Sequence, residues 1–219
     1  MDKTDKEGPN YQFEAGWPDD AIVIGIDEAG RGPWAGPVVA AAFWIAPDKL
    51  DDVPKGLTDS KKLSALARRR IETALMMGPH LFGVGEASSR EIDEIGLLPA
   101  TFAAMDRAIS TLTERLDKPI TAILVDGNLV PPLPSCQGAE IQAIIKGDSR
   151  SLSIAAASIM AKEARDRQMC ILDETYPVYG FAKHKGYGTK AHQEALYTHG
   201  PCPEHRRSFK PIQAIINKS

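Results

Sequence analysis

The sequence predicts an α/β fold in which a mixed five-stranded β-sheet is flanked by α-helices. Five short apolar segments, several of them rich in β-branched residues, have the length and composition of strands. Between and after them lie segments with apolar residues at helical spacing. Three of the strands fall in the first part of the chain, and helices and strands alternate after it, which favours a mixed sheet.

The elements can be placed in order. Strands are expected at about 21–27, 38–45, 81–86, 122–126 and 141–145. Helices are expected from Ser64 to about 77, from Ser88 or Ser89, over about 100–115, over 151–174, where alanine is frequent, and over 191–199. A loop rich in Gly, Lys and His is expected at 179–189, and a basic tail at the end of the chain.

Size and composition indicate one soluble domain. The chain has 219 residues, of which 43% are hydrophobic and 25% charged, enough for a substantial core. Residues 1–19 are polar and patternless and are expected to form a flexible tail, which leaves 20–219 as a single domain. No apolar run approaches the roughly 20 residues that span a bilayer, and no signal peptide is evident. Three cysteines without a CxxC spacing favour a reducing, cytoplasmic location.

Charged side chains are unevenly distributed along the chain. Residues 1–60 hold 12 acids and 5 bases, whereas residues 146–210 hold 11 bases and 7 acids. A polyanion would therefore meet the later part of the chain. The early acids would repel it unless metal ions intervene.

Acidic residues stand at the ends of three predicted strands: Asp27 with Glu28, then Asp126, then Asp148. Open sheets hold ligands at the carboxyl ends of their strands, and carboxylates are the ligands that Mg²⁺ and Mn²⁺ prefer. Two such ions can activate water and stabilise the leaving oxygen in phosphodiester hydrolysis. Asp27 and Glu28 can share a site only if the strand bends between them. The alternative is that these acids merely end strands before turns.

Two glycine-containing segments are candidate substrate contacts. Gly30-Arg31-Gly32 would let backbone N–H and C=O groups approach a ligand that both donates and accepts hydrogen bonds, such as a 2′-hydroxyl. The alternative is that these residues form only a tight turn. Tyr187, in the basic loop 183–189, could stack on a base or sugar, or simply pack in a solvated loop. The basic residues that could extend a phosphate-contacting surface are Lys61, Lys62, Arg206, Arg207 and Lys210.

Histidines offer two further possibilities. His199, Cys202 and His205 are close in sequence but lack a fourth convincing zinc ligand. A metal-free ribonuclease that used His184 and His192 is possible in principle, although nothing in the sequence singles out that pair.

Several segments in fixed order resemble type 2 ribonuclease H, the ribonuclease HII family. They are Gly25-Ile26-Asp27-Glu28-Ala29-Gly30-Arg31-Gly32-Pro33, Asp59-Ser60-Lys61-Lys62-Leu63, Val125-Asp126-Gly127-Asn128, Lys146-Gly147-Asp148-Ser149, Arg165-Asp166-Arg167, Gly186-Tyr187-Gly188-Thr189 and His205-Arg206 with Ser208-Phe209. The resemblance covers about 21–212. Among small departures, Trp34 stands where an aliphatic residue is common.

The resemblance implies an RNase H-like fold with a helical C-terminal extension, here from about residue 176. It implies Mg²⁺- or Mn²⁺-dependent hydrolysis of the RNA strand of RNA–DNA hybrids, and cutting 5′ to single ribonucleotides in duplex DNA. Asp27, Glu28, Asp126 and Asp148 match the metal-binding acids, and Tyr187 matches a tyrosine that stacks on deoxyribose. Gly30, Arg31 and Gly32 match the turn that reads the 2′-hydroxyl, and Lys61 joins them as a substrate contact. No membrane contact or obligate protein partner is expected. A DNA endonuclease or junction resolvase of the same fold, or a non-catalytic hybrid-binding module, remains the alternative.

Overall fold

Five strands form one mixed sheet in the computed structural model, which describes residues 8–217. The strands are β1 (Val23–Ala29), β2 (Val38–Trp44), β3 (Leu81–Ala87), β4 (Ala122–Asp126) and β5 (Glu140–Ile144), and their order in the sheet is β3-β2-β1-β4-β5. β1 pairs antiparallel with β2 and parallel with β4, so the sheet changes from antiparallel to parallel pairing at β1. The predicted mixed five-stranded sheet is confirmed.

Seven α-helices accompany the sheet in the described residues. They are α1 (Ala65–Met77), α2 (Ser89–Ile95), α3 (Leu97–Thr113), α4 (Leu152–Thr175), α5 (Phe181–His184), α6 (Lys190–His199) and α7 (Lys210–Ile216). The predicted helix starts at Ser64 and Ser88 are confirmed, because each side chain accepts a backbone N–H of the first turn, and Ser151 caps α4 in the same way. No helix in residues 8–217 combines the length and apolar character needed to cross a membrane.

The sheet is covered on both faces, and alternation along β1 decides what each face carries. Ile24 and Ile26 join a core with α3, whereas Gly25 faces α4. A Cβ on Gly25 would lie 2.2 Å from the backbone of Ser153, so only glycine lets the strand and α4 approach so closely. The alanines of α4 serve the same close packing against β1 and β2. The result is a rigid frame behind the carboxyl end of β1.

Three sequence expectations need correction in the fold. β1 continues in register with β2 through Ala29, so the strand does not bend between Asp27 and Glu28. The loop expected at 179–189 contains α5, and the expected basic tail contains α7, with Pro211 in its first turn. Local charge hid these short helices, which form because their apolar residues pack into a separate small core.

The expected flexible tail, residues 1–19, also needs correction in part. Residues 1–7 lie outside the described residues. Asn10 forms a bridge with Ser151, and Glu14 is buried, with one oxygen accepting hydrogen bonds from the hydroxyls of Ser151 and Ser153. A polar segment without periodicity gives no sign of such a contact, because the partners are 137 and 139 residues away.

Candidate active site

Three carboxylates converge at the carboxyl ends of the central strands. Asp27 lies near the end of β1 and Asp126 ends β4, which is the parallel neighbour of β1. Asp148 follows β5 in a short 3-10 turn, 147–149, that leads into α4. Each of the three can offer one oxygen such that these atoms all lie within 4.8 Å of one another. It is the one group of three or more potential metal ligands among residues 8–217.

Backbone geometry fixes two of these acids relative to each other. Asp126 accepts a hydrogen bond from the N–H of Gly147 at 2.7 Å, which ties the end of β4 to the turn that carries Asp148. The preceding residue, Lys146, has a left-handed backbone with φ of 55°, which is uncommon for a residue other than glycine. Strained positions of this kind often occur at functional sites.

Glu28 does not join the group of three carboxylates. Because strand residues alternate, Asp27 faces α4 and Glu28 points to the side of α3, where it lines a small pocket with Thr101 and Asp126. Its carboxylate accepts a hydrogen bond from Arg31 at 3.3 Å. Burial, the largest cause, raises the pKa of Glu28. Arg31 opposes this rise, and the negative charge of Asp126 adds to it.

Mutual repulsion and burial disfavour the charged forms of the cluster. Burial, followed by the charges of Glu28 and Asp126, raises the pKa of Asp27 well above its ordinary value. Burial and the charge of Asp126 likewise raise the pKa of Asp148. A divalent cation would relieve this repulsion, and an all-oxygen donor set suits Mg²⁺ or Mn²⁺. The residues therefore fit the metal that the sequence predicts.

A cleft of about 580 Å³ adjoins Asp27 and brings together the predicted substrate contacts. Lys61 lies in it, and although burial acts against its charge, the four aspartates around it raise its pKa overall. Ser158 of α4 donates a hydrogen bond to the hydroxyl of Ser60 at 3.1 Å and lies close enough to Asp27 to oppose the rise in its pKa. The cleft is lined by Asp27, Glu28, Ala29, Gly30, Arg31, Gly32, Ser60, Lys61, Leu97, Ser158, Lys162, Arg165 and Tyr187.

The turn after β1 is held by a fully buried arginine. Arg206 is 0% exposed and donates five hydrogen bonds of 2.6–3.0 Å to backbone carbonyls of the turn. Its acceptors are Gly30, Arg31, Pro33 and Gly36. The expectation that Arg206 contacts phosphate is therefore wrong, because all of its donor nitrogens are used inside the protein. Burial, with a smaller contribution from Arg165, lowers the pKa of Arg206 to about 9.

A second buried arginine, Arg165 of α4, ties this turn to the loop that carries Tyr187. It donates to the carbonyls of Ala35 and Pro37 on one side and of Lys185 on the other. Gly30 has φ of 98°, and a Cβ there would lie 2.0 Å from Arg165, so the position admits only glycine. The Gly30–Gly32 turn is more than a tight turn, because Arg206 bonds to its carbonyls and Arg165 packs against Gly30.

Sequence reasoning assigned no role to Arg165, Ser158 or Lys162, although all three lie in the cleft. They lie on α4 at positions 158, 162 and 165, the helical spacing that places side chains on one face. That spacing is a signal that could have found them once Asp148 had been placed at the start of the same helix.

The histidine pair considered as a metal-free catalyst lies away from the cleft. His192 is 0% exposed, and its ring stacks on that of His184 with 4.4 Å between centroids. Both rings bond to backbone carbonyls, His184 to Tyr179 and His192 to Tyr187. Neither ring is free for general acid–base catalysis on a substrate.

Comparisons with known proteins agree on one family. The family described as Ribonuclease HII matches residues 24–212. A Ribonuclease HII of Halorhodospira halophila is 48% identical over 195 residues, which cover 89% of this chain and 94% of that protein. One of Magnetococcus marinus is 50% identical over 194 residues, 89% of this chain and 87% of that protein.

A solved structure supports the same conclusion for the fold. The crystal structure of ribonuclease H2 from Pyrococcus horikoshii superimposes with a TM-score of 0.72 at 27% sequence identity. The match covers 90% of this chain and 97% of the other. The mixed sheet and the C-terminal helices thus have a counterpart in an experimental structure.

Proposed function

Since the chain belongs to the ribonuclease HII family, we propose that it cuts duplex DNA on the 5′ side of single embedded ribonucleotides. The membership itself makes it an endoribonuclease of the ribonuclease H type, which acts on RNA–DNA hybrids. The finer proposal includes the products, which are 5′-phosphate and 3′-hydroxyl ends, and the assignment of roles to individual residues.

The observation that carries the proposal is the convergence of Asp27, Asp126 and Asp148 beside the cleft. We assign these three and Glu28 as the metal-binding acids. Bound Mg²⁺ or Mn²⁺ ions, two in number, would activate the attacking water and stabilise the departing 3′-oxygen. The N–H of Glu28 donates to Asp27 at 2.7 Å, which orients its carboxylate before any ion binds.

The Gly30–Gly32 turn would recognise the 2′-hydroxyl through its backbone. Arg206 occupies the carbonyls of Gly30 and Arg31. Within the part of the chain that the structure describes, the N–H groups of Arg31 and Gly32 have no hydrogen-bond partner. These two groups are therefore the ones that could donate to a ribose oxygen, and a deoxyribose would leave them unsatisfied. Selectivity for RNA follows from that difference.

Tyr187 and the basic side chains would hold the nucleic acid in place. The Tyr187 side chain lies in the cleft with Gly32, whose substitution by a larger residue would bring a Cβ 3.5 Å from its ring. The ring can stack on the sugar next to the ribonucleotide. Lys61 and Lys162 also line the cleft and can contact phosphate.

A panel of labelled duplexes tests the proposal. One strand carries a single ribonucleotide, a second is all DNA, and a third is an RNA–DNA hybrid. We expect Mg²⁺-dependent cutting of the first and third only, at the 5′ side of the ribonucleotide in the first. Asp27→Asn should abolish cutting while binding of the hybrid persists. Cutting of the all-DNA duplex at the same rate, or products with cyclic phosphate ends in EDTA, would contradict it.

A further inference from the structure

Three histidines surround the backbone of the loop that carries Tyr187. His192 and His205 are both 0% exposed, and His184 is half-buried. Their rings lie against one another and against Phe181, with His184 and His192 stacked and His192 and His205 5.2 Å apart. None of them lines the cleft. Their burial therefore calls for an explanation other than contact with substrate.

Backbone partners fix the proton positions along a chain of hydrogen bonds. The N–H of Cys202 donates to Nδ1 of His205 at 3.0 Å, so this nitrogen is bare and the proton lies on Nε2. That Nε2–H donates to Nε2 of His192 at 3.0 Å. The proton of His192 is then on Nδ1, which donates to the carbonyl of Tyr187 at 2.9 Å. We call this chain, from Cys202 through His205 and His192 to Tyr187, the histidine relay.

The relay works only with both rings neutral. A second proton on His192 would place two N–H groups face to face at the His192–His205 contact, and a second proton on His205 would lie on Nδ1, against the N–H of Cys202. Burial, the largest cause, together with the neighbouring histidines lowers the pKa of both residues to about 4. The titratable groups that face the pair are His184, Tyr179, Cys202 and each other; no carboxylate is among the groups that shift their pKa.

His205 is followed directly by Arg206, which holds the Gly30–Gly32 turn. These two adjacent residues thus contact both sides of the proposed ribose site. His205 is hydrogen-bonded to His192, which is bonded to the carbonyl of Tyr187, and Arg206 donates to the carbonyls of the turn. The Tyr187 side chain lies half in solvent, so packing alone does not fix its ring. Hydrogen bonds to its backbone therefore contribute to its placement: the carbonyl of Tyr187 accepts from His192 and from the N–H of Thr189 at 2.8 Å, and its N–H donates to the carbonyl of His184 at 2.9 Å.

We propose that the histidine relay is a positioning device that, with Arg206, sets the distance between the ring of Tyr187 and the Gly30–Gly32 turn. The proposal rests on the proposed role of Tyr187 in substrate binding. His192 is a positioning residue, because it acts through Tyr187 and does not touch substrate. Its loss should weaken substrate binding and leave the chemical step alone, since the acidic cluster lies on other elements.

His192→Gln tests this, because glutamine places its amide near Nε2 and leaves the carbonyl of Tyr187 without its relay partner. We expect KM for an RNA–DNA hybrid to rise about tenfold with kcat changed less than twofold. The matched control is Leu196→Ala on the same helix, α6, which removes fully buried apolar volume but none of the hydrogen bonds of the relay. We expect it to lower stability at least as much and to leave KM within twofold.

A double-mutant cycle with Tyr187→Ala tests whether His192→Gln acts through the position of the Tyr187 ring or through a general loosening of the protein. When the ring is absent, His192→Gln should cause no further rise in KM. An equal rise in both backgrounds, or a rise of the same size in Leu196→Ala, would overturn the proposal. If Tyr187→Ala alone leaves KM unchanged, the substrate role of Tyr187 under the proposed function fails first, and the two failures are thereby distinguished.

Nitrogen-15 NMR of the imidazole rings gives a readout that does not depend on activity. At neutral pH we expect the proton of His192 on Nδ1 and that of His205 on Nε2. In His192→Gln, the signal of His205 should keep its tautomer, because Cys202 still donates to Nδ1. A protonated ring, or the opposite tautomers, at neutral pH would refute the relay.

Discussion

Replacing Arg206 by lysine removes most of the hydrogen bonds that hold the turn after β1. The guanidinium donates five bonds to four carbonyls, which approach it from different directions. An ammonium group donates three at most and is a single point, so at least two of the five bonds are lost and at least one carbonyl is left without a partner. Each unsatisfied buried acceptor costs about 1–3 kcal/mol. The free energy of unfolding should therefore fall by at least about 1–3 kcal/mol, a considerable part of the typical total of about 5–15 kcal/mol.

Urea unfolding followed by circular dichroism measures this change. The neighbouring residue is a matched control, because Arg207 is exposed and only its backbone N–H bonds to Asp93. Arg207→Lys should lie within about 0.5 kcal/mol of the wild type. Arg206→Met, which keeps volume but has no donors, should be at least as destabilising as Arg206→Lys.

The same variants should also impair substrate recognition. Once Arg206 no longer holds Gly30 and Arg31, the N–H groups of the turn lose their fixed direction, so KM for the hybrid should rise even under conditions where the variant is folded. An Arg206→Lys protein with unchanged midpoint, slope and KM would refute the reasoning, since it would mean that the carbonyls find other partners without loss.

Three further predictions concern the acids, the buried N-terminal contact and pH. Asp126→Asn should weaken Mn²⁺ binding at least tenfold in titration calorimetry and keep the fold, because an amide oxygen can still accept from the N–H of Gly147. Glu14→Ala should lower the free energy of unfolding by about 2–4 kcal/mol, since three donors lose their acceptor, and Glu14→Gln should cost less. In the folded protein the pKa of His192 and of His205 is about 4, below the unfolded value of 6.5. Between these two values the unfolded state binds more protons than the folded state. The free energy of unfolding should therefore fall as the pH drops from about 6.5 toward 4. Urea unfolding at several pH values should show a loss on the order of 1 kcal/mol per pH unit for each histidine, and a slope that is unchanged in His192→Gln would contradict it.

Most strands, most helices and the acidic cluster could be predicted from the sequence, because each has a local cause. Apolar runs such as that of β2 are buried along nearly their whole length, and serine caps mark helix starts at Ser64 and Ser88. Acids at the ends of adjacent parallel strands meet at one edge, which explains why Asp27 and Asp126 lie together. The side to which Glu28 points follows from regular strand alternation, because β1 keeps its register with β2 through Ala29 and does not bend.

The residues that hold the substrate turn could not be predicted, because they act over long sequence separations. Arg206 and Arg207 are identical and adjacent, yet one is fully buried and the other exposed. Nothing local distinguishes them; the distinction arises from carbonyls about 170 residues earlier in the chain. The burial of Glu14 could not be predicted either, because Glu14 lies in a polar segment without periodicity and its hydrogen-bond partners are at the start of α4.

Two different kinds of interaction position the two halves of the site, and this difference has a functional consequence. The carboxylates of Asp27 and Asp126 are placed by strand register in a packed sheet, whereas the Gly30–Gly32 turn and Tyr187 are placed by buried side chains that bond to backbone carbonyls. A carbonyl can lose its partner without disturbing the sheet. Substitutions at Arg165, Arg206 or His192 should therefore change substrate affinity before they change the chemical step, while substitutions beneath the acids, as at Gly25, should affect both, since the strand that carries Asp27 would shift with them.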